Sequence, residues 1–194
     1  MDSVLQQQQQ DLNFNAKPKK FVRWLFVVSS TIMFGGFTSY YIVLAGSKGK
    51  GHGLVLPDAF MYSTAILLLS SVCLFLATKA LRRSDRISQR LFLLITLGLG
   101  LVFGYLQLQA WSSLFQSGAA LVNNNAAISV IYVVSGMHLL HIFGGLAFII
   151  SSLLGSYKGI SEEKAIYRQE ITSIFWHFID ILWIYLYVFL LLNS

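Results

Sequence analysis

Residues 171–192 read ITSIFWHFIDILWIYLYVFLLL. The run is mostly apolar and aromatic, yet it holds one histidine, His177, and one acid, Asp180. A helix needs about 20 consecutive apolar residues to cross the roughly 30 Å hydrocarbon core of a bilayer. The run has that length and shows no period-two alternation, so a helix is expected and a strand is not. Inside lipid, backbone groups must be satisfied within the segment, which a helix achieves. The stretch therefore predicts a transmembrane helix. It also poses a question: what does an ionisable pair do at membrane depth?

Four more stretches qualify working back from it, so the expected spans are residues 21–44, 59–78, 91–111, 127–154 and 171–192. The composition agrees. The 194-residue chain is 56% hydrophobic and only 11% charged, against roughly a quarter charged in a soluble domain. An all-α membrane protein follows, with residues 21–194 forming one bundle of five transmembrane helices.

The net charge of +6 would suit nucleic acid, but its placement explains it otherwise. Lys17, Lys19, Lys20 and Arg23 flank the first span. Lys79, Arg82, Arg83, Arg86 and Arg90 fill the second loop, and Lys158, Lys164 and Arg168 the fourth. Only Lys48 and Lys50 of the 14 basic residues lie on the other side. By the positive-inside rule the N-terminus is inside and the C-terminus outside. Topology thus accounts for the basic excess without nucleic acid.

Residues 1–20 are polar and Gln-rich, with no basic start leading into a short apolar core. A disordered cytoplasmic tail is expected there, and no cleaved signal peptide. Cys73 is the single cysteine, so an internal disulfide and two-cysteine metal motifs are excluded. GLGLVFG, from Gly98 to Gly104, follows no strand and is not a nucleotide loop. Gly100 and Gly104 instead have the small-xxx-small spacing of close helix approach. GSKGKGHG, from Gly46 to Gly53, lacks the Walker order and falls in a short outer loop.

Four ionisable residues remain deep in the spans: His138 and His141 in the fourth, His177 and Asp180 in the fifth. Each pair is spaced i, i+3 and so shares one helix face. Charged groups at membrane depth cost about 2.5–3.5 kcal/mol on insertion scales and usually face a partner. Three readings fit the residue types. One is a buried polar network of His138, His141, His177 and Asp180 that fixes helix packing. Another is a proton relay. The third is haem ligation by His138 facing His177. Trp176 and Trp183 are one heptad apart and read as helix packing.

These residues carry a resemblance. WHFIDILWIYLY (Trp176 to Tyr187) is similar to the final helix of the cytochrome c oxidase subunit III family of haem-copper oxidases. SGMHLLHIFGG (Ser135 to Gly145) resembles that family's Gly-x-His-x-x-His helix with its trailing glycines, here Gly136, Gly144 and Gly145. LPDAFMYSTAILLLSS and LGLVFGYLQLQAW, the latter with Phe103 and Gln107, agree as well. The resemblance spans nearly the whole chain.

It implies a bacterial five-helix subunit III in the cytoplasmic (inner) membrane. Such a subunit holds no haem or copper and packs directly on subunit I, beside subunit II. It stabilises an oxygen-reducing, proton-pumping complex and is associated with phospholipid, oxygen access and proton uptake. Haem and copper are expected in subunit I. The resemblance moves the four ionisable residues towards the packing network, with Gly136, Gly144, Gly145, Trp176 and Trp183 as packing positions. Rivals share the motifs: a quinol oxidase subunit III, or the subunit III-like accessory protein of nitric oxide reductase. A b-type haem anchor is the rival from another class.

Two departures stand out. Ser30 and Thr31 occupy the place of the family's Ser-Glu pair, so Thr31 replaces an acid. Ala110 replaces another. Larger members have seven helices, and this chain resembles the last five.

Overall fold

The structure, a computed structural model, describes the backbone of residues 2–47, 57–118 and 126–193. It describes the side chains of residues 21–44 (Arg23 apart), 57–118 and 128–193. Five helices follow in order: α1 (Asp2–Ser47), α2 (Ala59–Arg82), α3 (Arg86–Gln116), α4 (Ala126–Tyr157) and α5 (Glu162–Asn193). There is no strand among the described residues. All five helices contain a segment long and apolar enough to cross a membrane, with mean hydropathy between 1.4 and 2.1. The all-helical, five-span reading of the sequence holds. The GSKGKGHG loop, apart from the helical backbone of Gly46 and Ser47, lies outside the described residues, and so does the third loop beyond Gly118.

Helix bounds overrun the apolar runs at nearly every end, because a helix stops at a cap or turn rather than where hydrocarbon stops. Asp85 caps α3, its carboxylate accepting from the Ser88 N–H at 3.1 Å. A hydrogen bond from the Ser88 side chain, and then that backbone bond, hold its carboxyl below the usual carboxylate range. Ser84, in the turn before it, takes the left-handed backbone (φ 59°). Gly159 does the same between α4 and α5 (φ 62°), and Glu162 and Glu163 complement the dipole at the start of α5. The backbone of α1 starts at Asp2, so helix runs through the Gln-rich segment as well. Gln, Leu, Ala and Lys are good helix formers, and extending an existing helix is cheap compared with nucleating one.

The chain divides into two compact units, Met1–Tyr40 and Tyr41–Ser194. The first is helical throughout its described length. Its hydroxyls bond backward along the helix, Thr31 to the Val27 carbonyl and Thr38 to the carbonyls of Phe34 and Gly35. The second holds α2 to α5 as a ring: α2 packs on α3 and α5, and α4 packs on α3 and α5. Its interior is filled by Trp176, Trp183, Phe60, Phe103, Leu67, Leu74, Ile142 and Ile149, all almost fully buried. Large apolar side chains such as Phe75, Leu101, Phe143 and Ile181 point outward, as the lipid-facing side of a membrane bundle does. The two basic loops of this unit lie at one end, where Ser84 bonds Glu162 (3.0 Å) and Arg82 pairs with Glu170 (3.5 Å).

Candidate functional site

Trp176 is the hub of the bundle. It comes from α5 and is fully buried. Its indole N–H donates to Ser70 Oγ on α2 at 3.0 Å. The ring lies against two glycines. A Cβ on Gly145 of α4 would come within 2.7 Å of Trp176 Cε3, and one on Gly100 of α3 within 3.0 Å of Cη2. One side chain thus binds all four helices together, and only glycine leaves room for it. The other packing glycines are less constrained. Gly104, Gly136 and Gly144 would each place a Cβ at 3.7 Å from a neighbour, an ordinary contact.

Two turns further along α5, Trp183 repeats the pattern. Its N–H donates to Thr64 Oγ1 at 3.0 Å. Its rings stack on Phe60 (5.9 Å) and on His138 (4.8 Å, 29° between planes), with the edge of Phe103 at 5.1 Å. His138 is completely buried in this aromatic cage. His141, on the flank of α4, donates from Nδ1 to the Met137 carbonyl at 2.7 Å, which fixes its tautomer.

His177 and Asp180 share a face as the spacing predicts. His177 Nδ1 is hydrogen-bonded to Ser71 Oγ at 2.6 Å. Asp180 Oδ2 lies 3.9 Å from the same nitrogen, too far for a hydrogen bond. The carboxyl is buried beside His177 and Ser71. Of the four ionisable residues, His138 lies in the Trp183 cage, His141 bonds a carbonyl of its own helix and His177 bonds Ser71 of α2, with Asp180 at 3.9 Å from it. His138 and His177 do not face one another across an opening, because the first stacks on Trp183 and the second turns to Ser71. Among the described residues no group of three or more His, Cys, Asp or Glu is placed to hold a metal.

Two polar clusters escape a reading based on ionisable residues. The first is a seam between α2 and α5. Thr64, Ser71 and Thr78 repeat every seven residues and meet Trp183, His177 and Gln169 in turn. That heptad was visible in the sequence, but its partners were not. The second cluster lies near the basic end. Gln169 Oε1 accepts from Ser152 Oγ (2.7 Å) and from Gln89 Nε2 (3.3 Å), while its Nε2 donates to Thr78 Oγ1 (3.3 Å). Ser156 Oγ donates to Gln89 Oε1 at 3.3 Å. Arg90 clamps Ser156 through Nε and Nη2 and stacks over Tyr157. Gln89 and Gln169 are buried, so this is a closed amide and hydroxyl network drawing on all four helices. The signal for it was glutamine inside apolar runs. Gln107 is another such residue, fully buried, and its amide has no partner among the described residues. Of the two positions where an acid is replaced, Ala110 is buried, and Thr31 bonds the Val27 carbonyl of its own helix.

The arrangement suits rigid packing. Every indole N–H and buried glutamine of the seam has a partner on another helix, and the interior is filled by rings. Comparison with known proteins points to a family. A family model described as cytochrome c oxidase subunit III matches residues 13–194. Cytochrome bo(3) ubiquinol oxidase subunit 3 of Buchnera aphidicola subsp. Schizaphis graminum is 30% identical over 180 residues, covering 91% of this chain and 94% of that protein. Cytochrome c oxidase subunit 3 of Alkalihalophilus pseudofirmus is 28% identical over 168 residues, covering 84% and 81%. The horse (Equus caballus) cytochrome c oxidase subunit 3 is 28% identical, and the match covers 84% of this chain but 65% of the horse protein.

Proposed function

The chain belongs to the cytochrome c oxidase subunit III family, which makes it a subunit III of a haem-copper oxidase; from that premise we propose that it is a non-redox wedge. It packs against subunit I, the haem- and copper-binding subunit, beside subunit II, in a bacterial cytoplasmic membrane. Trp176, held against Gly100 and Gly145 and bonded to Ser70, carries this reading. Ring packing around Trp176 and Trp183 and hydrogen bonds between helices support a structural role. The concentration of Lys and Arg in the α2–α3 and α4–α5 loops supports a cytoplasmic basic face, with the N-terminus inside.

Mild solubilisation followed by purification through a tag on this chain tests the role. Subunit I should come with it, and the isolated chain should have no Soret band. A Soret band retained by the isolated chain would instead make it a b-type haem anchor. A second reading concerns the electron donor. Relatives of both kinds match at 28–30% identity, ubiquinol oxidase and cytochrome c oxidase subunits 3 alike. Oxidation of quinol rather than cytochrome c by the purified complex decides between them.

A further inference from the structure

Of the three glutamines buried among the described residues, Gln89 and Gln169 bond each other, whereas Gln107 bonds none of them. The Gln107 side chain is fully enclosed, and neither Oε1 nor Nε2 meets a partner there. A bare amide is costly to bury, and native interiors rarely keep one.

The contacts on either side of Gln107 fix its layer in the bundle. One turn before it on α3, Phe103 meets His138 of α4, with ring centroids 5.7 Å apart. One turn after it, Trp111 donates to Ser135 Oγ of α4 at 2.9 Å. Gln107 shares the buried face of Phe103 and so lies in the layer of Ser135 and His138, both buried themselves. Packing here is looser than around Trp176. A Cβ on Gly104 or Gly136, which flank the layer on α3 and α4, would meet nothing nearer than 3.7 Å. On Gly100 or Gly145 it would come within 2.7 Å of a neighbour. Ala110, the next buried residue of α3 after Gln107, is small as well.

An amide presents two N–H donors and an oxygen with two lone pairs. No apolar ligand can satisfy them. A water molecule can, given about 30 Å³ and two to four polar partners. The layer supplies partners besides the amide. Ser135 Oγ accepts from Trp111 and donates to the Ile131 carbonyl, which leaves it one further lone pair. The imidazole of His138 is the other polar group of α4 in this layer.

We propose that Gln107 binds an internal water molecule between α3 and α4, and that this water carries its hydrogen bonds across to Ser135 or His138. A bridging water is enthalpically nearly as good as a direct bond. It gives α3 and α4 a water-mediated rung where α2 and α5 use direct ones. The site lies wholly within this chain, so it does not depend on the oxidase reading.

Cryo-electron microscopy of the chain in its complex, at a resolution that shows ordered water, tests this directly. A density peak should lie about 2.7–3.2 Å from Gln107 Oε1 or Nε2, within the same reach of a polar atom of α4. The peak should be lost in Gln107→Leu. No peak beside Gln107 where other interior waters are visible overturns the proposal. A direct bond from the amide to protein, or a peak that persists in Gln107→Leu, also overturns it. Nuclear magnetic resonance of the full chain in detergent micelles, isotope-labelled on its glutamine side chains, gives a second reading. The NH₂ pair missing from Gln107→Leu, or from Gln107→Met should the first variant not fold, belongs to Gln107. Its protons should receive a direct Overhauser effect from water, opposite in sign to chemical exchange in the rotating frame. A pair that receives none overturns the site.

Discussion

Replacing Gly145 with alanine should loosen the bundle, and replacing its neighbour Gly144 should not. The added methyl at position 145 would lie 2.7 Å from Trp176 Cε3, 2.9 Å from Cζ3 and 3.4 Å from Ile179 Cδ1. The indole cannot step aside. It is enclosed in the fully buried interior, and its N–H is tied to Ser70. Overpacking of this kind costs about 1–3 kcal/mol. Removing a helix glycine returns about 0.5–1 kcal/mol, so the net loss is roughly 0.5–2 kcal/mol. At Gly144 the methyl would meet Phe175 at 3.7 Å, an ordinary contact. There the glycine effect stands alone, and the variant should be unchanged or slightly more stable. The two alanine variants should therefore differ by about 1–3 kcal/mol, roughly 5- to 150-fold in the folding equilibrium. Reversible unfolding in mixed detergent micelles, followed by tryptophan fluorescence, measures the difference. If Gly145→Ala proved as stable as Gly144→Ala, Trp176 would not be the fixed hub described here.

Gln169→Leu should destabilise by roughly 1–3 kcal/mol, because it leaves the Gln89 amide and the Ser152 hydroxyl without their buried acceptor; the same unfolding assay reads this, and a neutral result would mean that the cluster finds another partner. The Asp85 cap predicts a pH dependence: its folded-state carboxyl lies below the ordinary range, so its contribution is complete above that range and is lost as pH falls through the lowered value. Asp85→Asn keeps a capping acceptor and should remove that acid-side slope, which parallel unfolding curves at pH 3 to 6 (about the carboxylate range) would show. Asp180→Asn should shorten the number of turnovers an assembled oxidase sustains more than it slows the first ones, because Asp180 is buried among packing side chains; a variant that assembles fully but has lost oxygen reduction from its first turnover would contradict this.

The spans were legible because lipid imposes a length and a polarity on each of them. Residues 59–78, 91–111, 127–154 and 171–192 fall within α2 to α5, and the ends were missed because Asp85 and Gly159 decide where helices stop. The packing glycines were legible as a class but not in rank. Gly100 and Gly145 are tight while Gly104, Gly136 and Gly144 are not, and only the position of the Trp176 ring separates them. Attention to ionisable groups found His138 and His177 but passed over Gln89 and Gln169. A neutral amide raises no charge alarm, yet it carries the only extended hydrogen-bond network seen among the described residues of the bundle.

The bias has a physical origin. In water, apolar faces select their partners by burial. In a bilayer the lipid tails are as apolar as leucine, so burial of Leu67 or Ile149 does not choose a neighbour. Choice must come from fit and from directional bonds. The ring of helices uses both: glycines at 100 and 145 where α3 and α4 meet the Trp176 ring, and the rungs Thr64–Trp183, Ser70–Trp176, Ser71–His177 and Thr78–Gln169 where α2 meets α5. Ser70 and Ser71 are adjacent but bond different turns of α5, so shifting α5 by one turn would unmake every rung at once. The seam therefore fixes the register of α5 against α2 through directional bonds rather than through burial.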